Sequence, residues 1–325
     1  MRRAMELGAS VRALTSPNPW VGCVIEPGGF EGATQAAGKS HAEGVALAAA
    51  GEHARGATLV TTLEPCVHHG RTPPCAETIV AAAIRRVVVA VEDPDERVRG
   101  AGVAALRQAG VDVEVGLCAN EVRVQLAPYL KQRATGRPWV IVKLAATLDG
   151  RVAAPDGSSR WITGERARED AHRLRGESDA VLVGAGTVRA DDPELTARGD
   201  WLTPGHRQPQ RVVLGHAPAG ARVQPALELE GDLGNVLDDL GRRGILQLLV
   251  EGGPTVAGEF HRAGLVDRYV LYLSPALMGG DDGFPLMAGS GAATMAEVWR
   301  GRIVAVERLG EDLRIDLVPG PGTGD

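Results

Sequence analysis

Aromatic side chains are scarce in this 325-residue chain, at 3% of all residues, although 44% are hydrophobic. Its cores must therefore be built from Val, Leu, Ile and Ala, as in alternating α/β architecture. Cysteine is equally sparse. Four cysteines in a chain of this length exclude a disulfide scaffold. Cys23 and Cys118, in or at the end of apolar runs, are expected to be buried and inert. No apolar run approaches the length needed to cross a membrane, which argues against a membrane partner. No secretory leader is expected from its opening residues, and the expected compartment is a reducing cytoplasm. There is no basic surplus: the formal charge is −6, and residues 1–135 carry fourteen acidic and fourteen basic side chains. That disfavours a nucleic-acid partner and favours a small-molecule substrate. The length suits two domains rather than one.

What is present is a set of metal ligands. His41-Ala42-Glu43, with Cys66 after Pro65 and Cys75 after Pro74, supplies one imidazole and two thiolates. Three protein ligands on tetrahedral zinc leave a fourth position for water, whose pKa zinc lowers to about 7. Glu43 can reach that water without binding the metal and can carry its proton to a leaving group. Zinc nucleobase deaminases show H-x-E, then P-C-x-x-C. Here the first half fits and the second is stretched, with Val67–Pro74 between the cysteines. The alternative is a closed structural site in which His68 or His69 is the fourth ligand. Arg71 in the same loop suits a phosphate, unless the loop is simply solvated and shaped by its prolines.

Along the chain, periodicity predicts a helix over 1–8, a rigid turn at Ser16-Pro17-Asn18-Pro19 and a strand over 21–25. The Asn18 amide both donates and accepts, which suits a pyrimidine edge; capping its own turn is the simpler alternative. Residues 26–40 are Gly-rich, lack a long alternating hairpin and read as a shortened loop. A helix follows His41. Strands are expected over 57–63, 87–91 and 111–115, with helices over 78–84, 102–109 and 121–134. A helix beginning after Pro65 would aim N–H groups at the Cys66 thiolate. The alternation predicts a three-layer sandwich around a largely parallel sheet.

Residues 135–138 read as a linker, and the pattern then restarts. Strands are expected over 139–144, 179–183, 211–214, 245–250 and 268–273, with a charged helix over 165–176. An antiparallel pair over 304–309 and 313–317 precedes a disordered Pro/Gly tail. Gly184-Ala-Gly186-Thr-Val-Arg189 is no dinucleotide fingerprint, because it ends in Arg and lacks the acidic residue after a following strand. Glu251-Gly-Gly-Pro-Thr255 is the stronger cofactor element: it ends a strand and opens a helix, so free N–H groups can face a phosphate. An ordinary strand-to-helix turn is its alternative.

The stretch Pro65-Cys66-Val-His-His-Gly-Arg-Thr-Pro-Pro-Cys75, preceded by Pro17-Asn18-Pro19 and His41-Ala-Glu43, resembles the pyrimidine deaminases of riboflavin biosynthesis. Bifunctional members of that family fuse the deaminase to a reductase. The second half resembles the reductase through Lys143-Leu-Ala-Ala-Thr-Leu-Asp149-Gly-Arg151, Ser159-Arg-Trp161-Ile-Thr163, Gly184–Arg198 and Glu251-Gly-Gly-Pro-Thr255. These motifs span nearly the whole chain in the family's order, although 26–40 and 199–244 look abbreviated. The resemblance implies a cytidine-deaminase-like three-layer α/β/α sandwich over 1–135 and a dihydrofolate-reductase-like α/β domain over 138–325.

It implies Zn2+ on His41, Cys66 and Cys75, Glu43 as the catalytic proton carrier, and Asn18 as a substrate-binding residue. It implies NADPH lined by Ala145, Trp161, Thr187, Asp191 and the segment Gly253, Pro254, Thr255, Val256, Ala257, Gly258 and Glu259. Ser159, Arg175, Leu195, Arg198 and Glu251 would hold the ribosyl phosphate. The implied chemistry is deamination of 2,5-diamino-6-ribosylamino-pyrimidinone 5′-phosphate, then reduction of its ribosyl group to ribityl, in a homo-oligomer. Two rivals are kept: a nucleic-acid deaminase fused to an unrelated domain, and a zinc-stapled binding protein without catalysis.

Overall fold

The computed structural model describes residues 1–69, 73–203 and 205–320. It divides into two compact units, Met1–Pro138 with Gly244–Leu246 and Trp139–Arg243 with Gln247–Asp325. Among the described residues, no helix is long and apolar enough to cross a membrane.

The first unit runs α1 (Arg2–Ser10), α2 (Arg12–Thr15), β1 (Gly22–Glu26), β2 (Phe30–Ala33), α3 (Ala42–Ala50), a 3-10 turn (Gly51–Ala54), β3 (Thr58–Leu63), α4 (Cys75–Ala81), β4 (Arg86–Val91), α5 (Ala101–Gln108), β5 (Asp112–Val115), α6 (Ala119–Gln125) and α7 (Ala127–Thr135). Its sheet has the order β2-β1-β3-β4-β5. The strands β3, β4 and β5 are parallel, and β1 is antiparallel to both β2 and β3. Nearly all of β4 is buried, as its unbroken run Val87–Val91 requires of a strand covered on both faces. Helices α3, α4 and α5 pack side by side as one layer, and α1 and α6 meet in another. Between the layers lies an aliphatic core that includes Ile25, Leu59, Ile79, Val87, Val89 and Leu106.

Three expectations need correction here. Residues 26–40 are not all loop: they supply the second strand of a short hairpin, with Ile25 paired to Phe30 and Gly22 to Ala33. Gly28 and Gly29 turn it with positive φ, while Phe-Glu-Gly-Ala lacks the β-branched alternation by which strands are recognised. The helix read over 121–134 breaks at Leu126, because Pro128 in the first turn of α7 has no N–H to continue α6. Among the described residues no helix starts directly after Pro65; α4 begins at Cys75. Of the two spare cysteines, Cys23 is fully buried, whereas Cys118 is half-buried with φ 57° just ahead of α6.

The second unit runs β6 (Trp139–Thr147), β7 (Arg151–Ala153), α8 (Glu165–Gly176), β8 (Ala180–Gly184), α9 (Ala185–Asp191), β9 (Gln210–Leu214), β10 (Leu227–Leu229), α10 (Leu233–Arg242), β11 (Gln247–Val250), α11 (Pro254–Arg262), β12 (Arg268–Ser274), β13 (Phe284–Pro285), β14 (Gly301–Leu309) and β15 (Asp312–Pro319). Its main sheet has the order β10-β9-β8-β11-β6-β12-β15-β14. The six strands from β10 to β12 are parallel, and β15 and β14 close the edge antiparallel. Both β8 and β11 are buried along their whole length. The Pro/Gly-rich region 199–244, which looks abbreviated in sequence, contains β10 and α10 beside the expected strand β9. Asp232 caps α10 by accepting from the N–H groups of Gly234 and Asn235. The Pro/Gly tail expected at the C-terminus falls largely on residues 321–325, outside the described residues.

This strand order creates a switch point. After β8 the chain moves outward to β9, whereas after β11 it crosses β6 to reach β12. The crevice beyond the carboxyl ends of β8 and β11 is where open α/β sheets take their ligands.

Candidate functional site

In the first unit His41 is the N-cap of α3, with extended φ/ψ of −74° and 165°. Its side chain makes no capping hydrogen bond to the helix. Its Nδ1 lies 3.6 Å from Cys66 Sγ and 3.3 Å from Cys75 Sγ. All three donor atoms fall within 4.8 Å of one another. Tetrahedral zinc with bonds of about 2.0–2.3 Å requires ligand separations of roughly 3.5–3.8 Å, so the soft, closely set donors fit that ion. Neither His68 nor His69 joins the cluster among the described residues. His69 lies exposed, 3.8 Å from Glu77, and His68 has a buried Nδ1 with no hydrogen-bond partner. Arg71 lies outside the described residues.

The helix-dipole expectation is met from another place: Cys75, the first residue of α4, donates its N–H to Cys66 Sγ at 3.4 Å. The two sulfurs and the imidazole share protons unequally. Its contact with Cys75, then with His41, holds the Cys66 thiol down to about 4. Its contact with Cys66 and its own burial push Cys75 up. The Cys66 contact also raises His41, against burial. Glu43 follows in the first turn of α3, buried at 4% exposure, with Cys75 Sγ 3.5 Å from its Oε2. Burial pushes its carboxyl up to about 7, which His41 only partly offsets. A carboxyl poised there can both take and return a proton. Asn18 is half-buried, with its N–H bonded to the Thr15 carbonyl.

Glu64, which motif reading passed over, is a buried carboxylate satisfied by the N–H groups of Asp93, Gly100 and Val103. It caps the start of α5 from outside. Gly102 makes this approach feasible, since a Cβ there would lie 2.0 Å from the Pro65 carbonyl oxygen.

In the second unit the switch point opens as a cavity of about 1310 Å3. Single-ligand pockets usually occupy about 300–1,000 Å3, so this one has room for two reactants. Two helix starts meet in its floor, where Gly253 N–H donates to Thr187 Oγ1 at 3.2 Å. Any Cβ at Gly252 would lie 2.5 Å from Val256 Cβ, and nothing stands within 4 Å of one at Gly186. These glycines and the first-turn N–H groups of α11 form a cradle that fits a dinucleotide phosphate. The cavity is lined by Ala145, Trp161, Thr187, Asp191, Gly253, Pro254, Thr255, Val256 and Glu259. Ala257 and Gly258 do not line it. Ala257 is fully buried, and Gly258 lies beneath the Ala288 carbonyl oxygen, where a Cβ would come within 2.2 Å. Both sit on the inner face of α11, which helical periodicity turns away from the crevice. Trp161 is 71% exposed, with the Arg168 guanidinium 4.5 Å from its ring.

Ser159, Arg175, Leu195, Arg198 and Glu251 also line the cavity. Arg175 grips Glu251 in a bidentate pair at 2.6 and 2.9 Å. Burial pushes the Glu251 carboxyl up, but Arg175 outweighs it and holds it down to about 2. Lys143 Nζ stands 4.0 Å from the same carboxylate; burial lowers its pKa, and Glu251 resists. Arg198 lies 3.4 Å from Glu194 and stays largely exposed. Asp149 is engaged elsewhere, accepting from Thr147 Oγ1 and the N–H groups of Met278 and Gly279.

Sequence comparison bears on both units. Residues 138–315 match the family model described as the RibD C-terminal domain, and residues 1–91 match the cytidine and deoxycytidylate deaminase zinc-binding region. The chain is 39% identical to the riboflavin biosynthesis protein RibD of Escherichia coli K12 across 98% of each chain. It belongs to the RibD family. It is also 42% identical to the RibD of Mycobacterium tuberculosis H37Rv, over 98% of this chain and 96% of that one. Among solved structures, Acinetobacter baumannii RibD superposes with a TM-score of 0.93 at 38% identity, covering 98% of this chain and 97% of the other. A Thermotoga maritima protein described as a diaminohydroxyphosphoribosylaminopyrimidine deaminase/5-amino-6-(5-phosphoribosylamino)uracil reductase gives 0.88 at 33% identity, over 98% and 97%. A RibD protein is a riboflavin biosynthesis enzyme that joins a zinc-binding, cytidine-deaminase-like domain to an NADPH-dependent, dihydrofolate-reductase-like one.

Proposed function

We propose that residues 1–135 deaminate 2,5-diamino-6-ribosylamino-pyrimidinone 5′-phosphate and that residues 138–325 reduce the ribosyl group of the product to ribityl. The observation that carries this reading is the buried Glu43 carboxyl beside the clustered His41, Cys66 and Cys75 donor atoms, in a chain that also carries the switch-point cavity. His41, Cys66 and Cys75 would hold zinc, which when bound lowers the pKa of a water molecule to about 7. Glu43 moves protons from the attacking water to the ring nitrogen and the departing ammonia. Asn18 would face the pyrimidine edge.

In the other unit NADPH supplies the hydride, and the protein's task is to hold two reactants in register. The cradle of Thr187 and the Gly253–Val256 turn would take the cofactor phosphates, with Ala145 and Trp161 beside it. Ser159, Leu195 and Arg198 would hold the ribosyl phosphate, and the Arg175–Glu251 pair would keep that wall rigid. A homo-oligomer in the cytoplasm completes the proposal.

The deciding experiment supplies the purified chain with the diaminopyrimidine ribosyl phosphate and follows ammonia, with and without NADPH. Ammonia release together with NADPH oxidation is the expected result. Ammonia without NADPH oxidation would confine the reading to the deaminase, and neither signal from zinc-loaded protein would overturn it.

A further inference from the structure

Motif reading of the second unit passed over His172. It stands on α8 three residues ahead of Arg175 and lines the same cavity. Its Nδ1 lies 2.9 Å from the Thr196 carbonyl oxygen and 3.4 Å from Arg175 Nη1. A carbonyl oxygen only accepts, so the shorter contact places a hydrogen on Nδ1. The longer contact would need a lone pair there and is near the limit of hydrogen bonding, so it gives way. Arg175 Nη1 has the Thr196 oxygen itself at 3.3 Å.

Burial, then Arg175, disfavours the charged imidazole, with Arg198 adding to them against Thr196 and Glu251. A neutral ring with hydrogen on Nδ1 presents Nε2 as an acceptor. Among the described residues no protein group bonds Nε2, and it is not shut away as a buried unpaired atom. It therefore opens on the cavity. Its nearest cation, Arg175, is already matched to Glu251. A phosphate dianion brings no hydrogen to a lone pair; a sugar hydroxyl does.

We propose that His172 is a substrate-binding residue of the reduction, its Nε2 accepting a hydrogen bond from a hydroxyl of the ribosyl group. This rests on the reading of the cavity as the reductase site. Two variants separate the ring's two edges. His172→Asn keeps an amide donor near the Nδ1 position and removes Nε2. His172→Gln reaches the Nε2 position with an acceptor and gives up the donor to Thr196.

The test is calorimetric titration of the full chain with the deaminated ribosyl phosphate, without NADPH. His172→Asn is expected to weaken binding about five- to tenfold, and His172→Gln to stay within about twofold of the parent. Ligand analogues lacking the 2′- or the 3′-hydroxyl complete the cycle: one of them should bind the parent and His172→Asn equally. The reverse order, with Asn harmless and Gln harmful, would make His172 a structural peg on Thr196 and overturn the proposal while the cavity keeps its reading. A parent protein that binds no ribosyl phosphate, with or without NADPH, would overturn the cavity reading and this proposal together.

Discussion

Glu43 and Glu251 show how one side-chain type is driven in opposite directions by its surroundings. Glu43 is buried with only a partial counter-charge, and its carboxyl rises to about 7. Glu251 is buried with a guanidinium gripping both oxygens, and its carboxyl falls to about 2. Replacing Glu43 by Ala should leave zinc content unchanged and lower ammonia release by about a hundredfold or more. Metal analysis beside the ammonia assay checks this, and retained deamination would remove Glu43 from its role. Glu251 makes a prediction about stability. Its folded pKa lies below its ordinary value, so its contribution is complete above that value and is lost as pH falls from about 4.5 toward 2. Thermal midpoints between pH 6 and 3 should therefore fall more steeply for the parent than for Glu251→Gln. Arg198, exposed and weakly paired, contributes little to stability. Arg198→Ala should raise the KM of reduction about tenfold through the lost charge-assisted bond, with ammonia release unaltered.

Among the elements, the β1–β2 hairpin places the metal site. Gly32 in β2 sits so close to α3 that a Cβ there would come within 2.1 Å of the Ala42 carbonyl oxygen and 2.6 Å of the Ala46 nitrogen. Those are backbone atoms of the helix whose N-cap is His41 and whose first turn carries Glu43, so relief requires the helix itself to shift. Gly32→Ala should cost about 1–3 kcal/mol by this overpacking and lower both zinc content and ammonia release. A melting temperature and zinc occupancy matching the parent would refute the argument. Sequence patterning could not find this hairpin, because its second strand is four residues long and owes its conformation to pairing with β1 rather than to its own propensity. The same holds for α9, whose start is set by the turn out of β8. α10 differs: its Asp232 cap and the apolar spacing Val236, Leu237, Leu240 were legible, and the surrounding Pro and Gly obscured them.

For the whole molecule, two units with separate sheets and separate sites should lose their activities separately. Stripping zinc with a chelator should abolish ammonia release while NADPH oxidation with the supplied deaminated substrate continues; loss of both would contradict the assignment of chemistry to units. The sequence alone determined the fold class, because buried aliphatic strands and amphipathic helices are written in local periodicity. It also singled out His41, Cys66, Cys75 and Glu43, which the fold brings together, because a metal site needs particular atoms and few other side chains supply them. Tertiary structure alone decided which face of α11 meets the cavity, and so removed Ala257 and Gly258 from its lining. It decided that Arg175 is matched to Glu251, 76 residues away, and that His172 turns one nitrogen to Thr196 and leaves the other to the cavity. Such pairings join residues remote along the chain, and only packing brings them within hydrogen-bond reach.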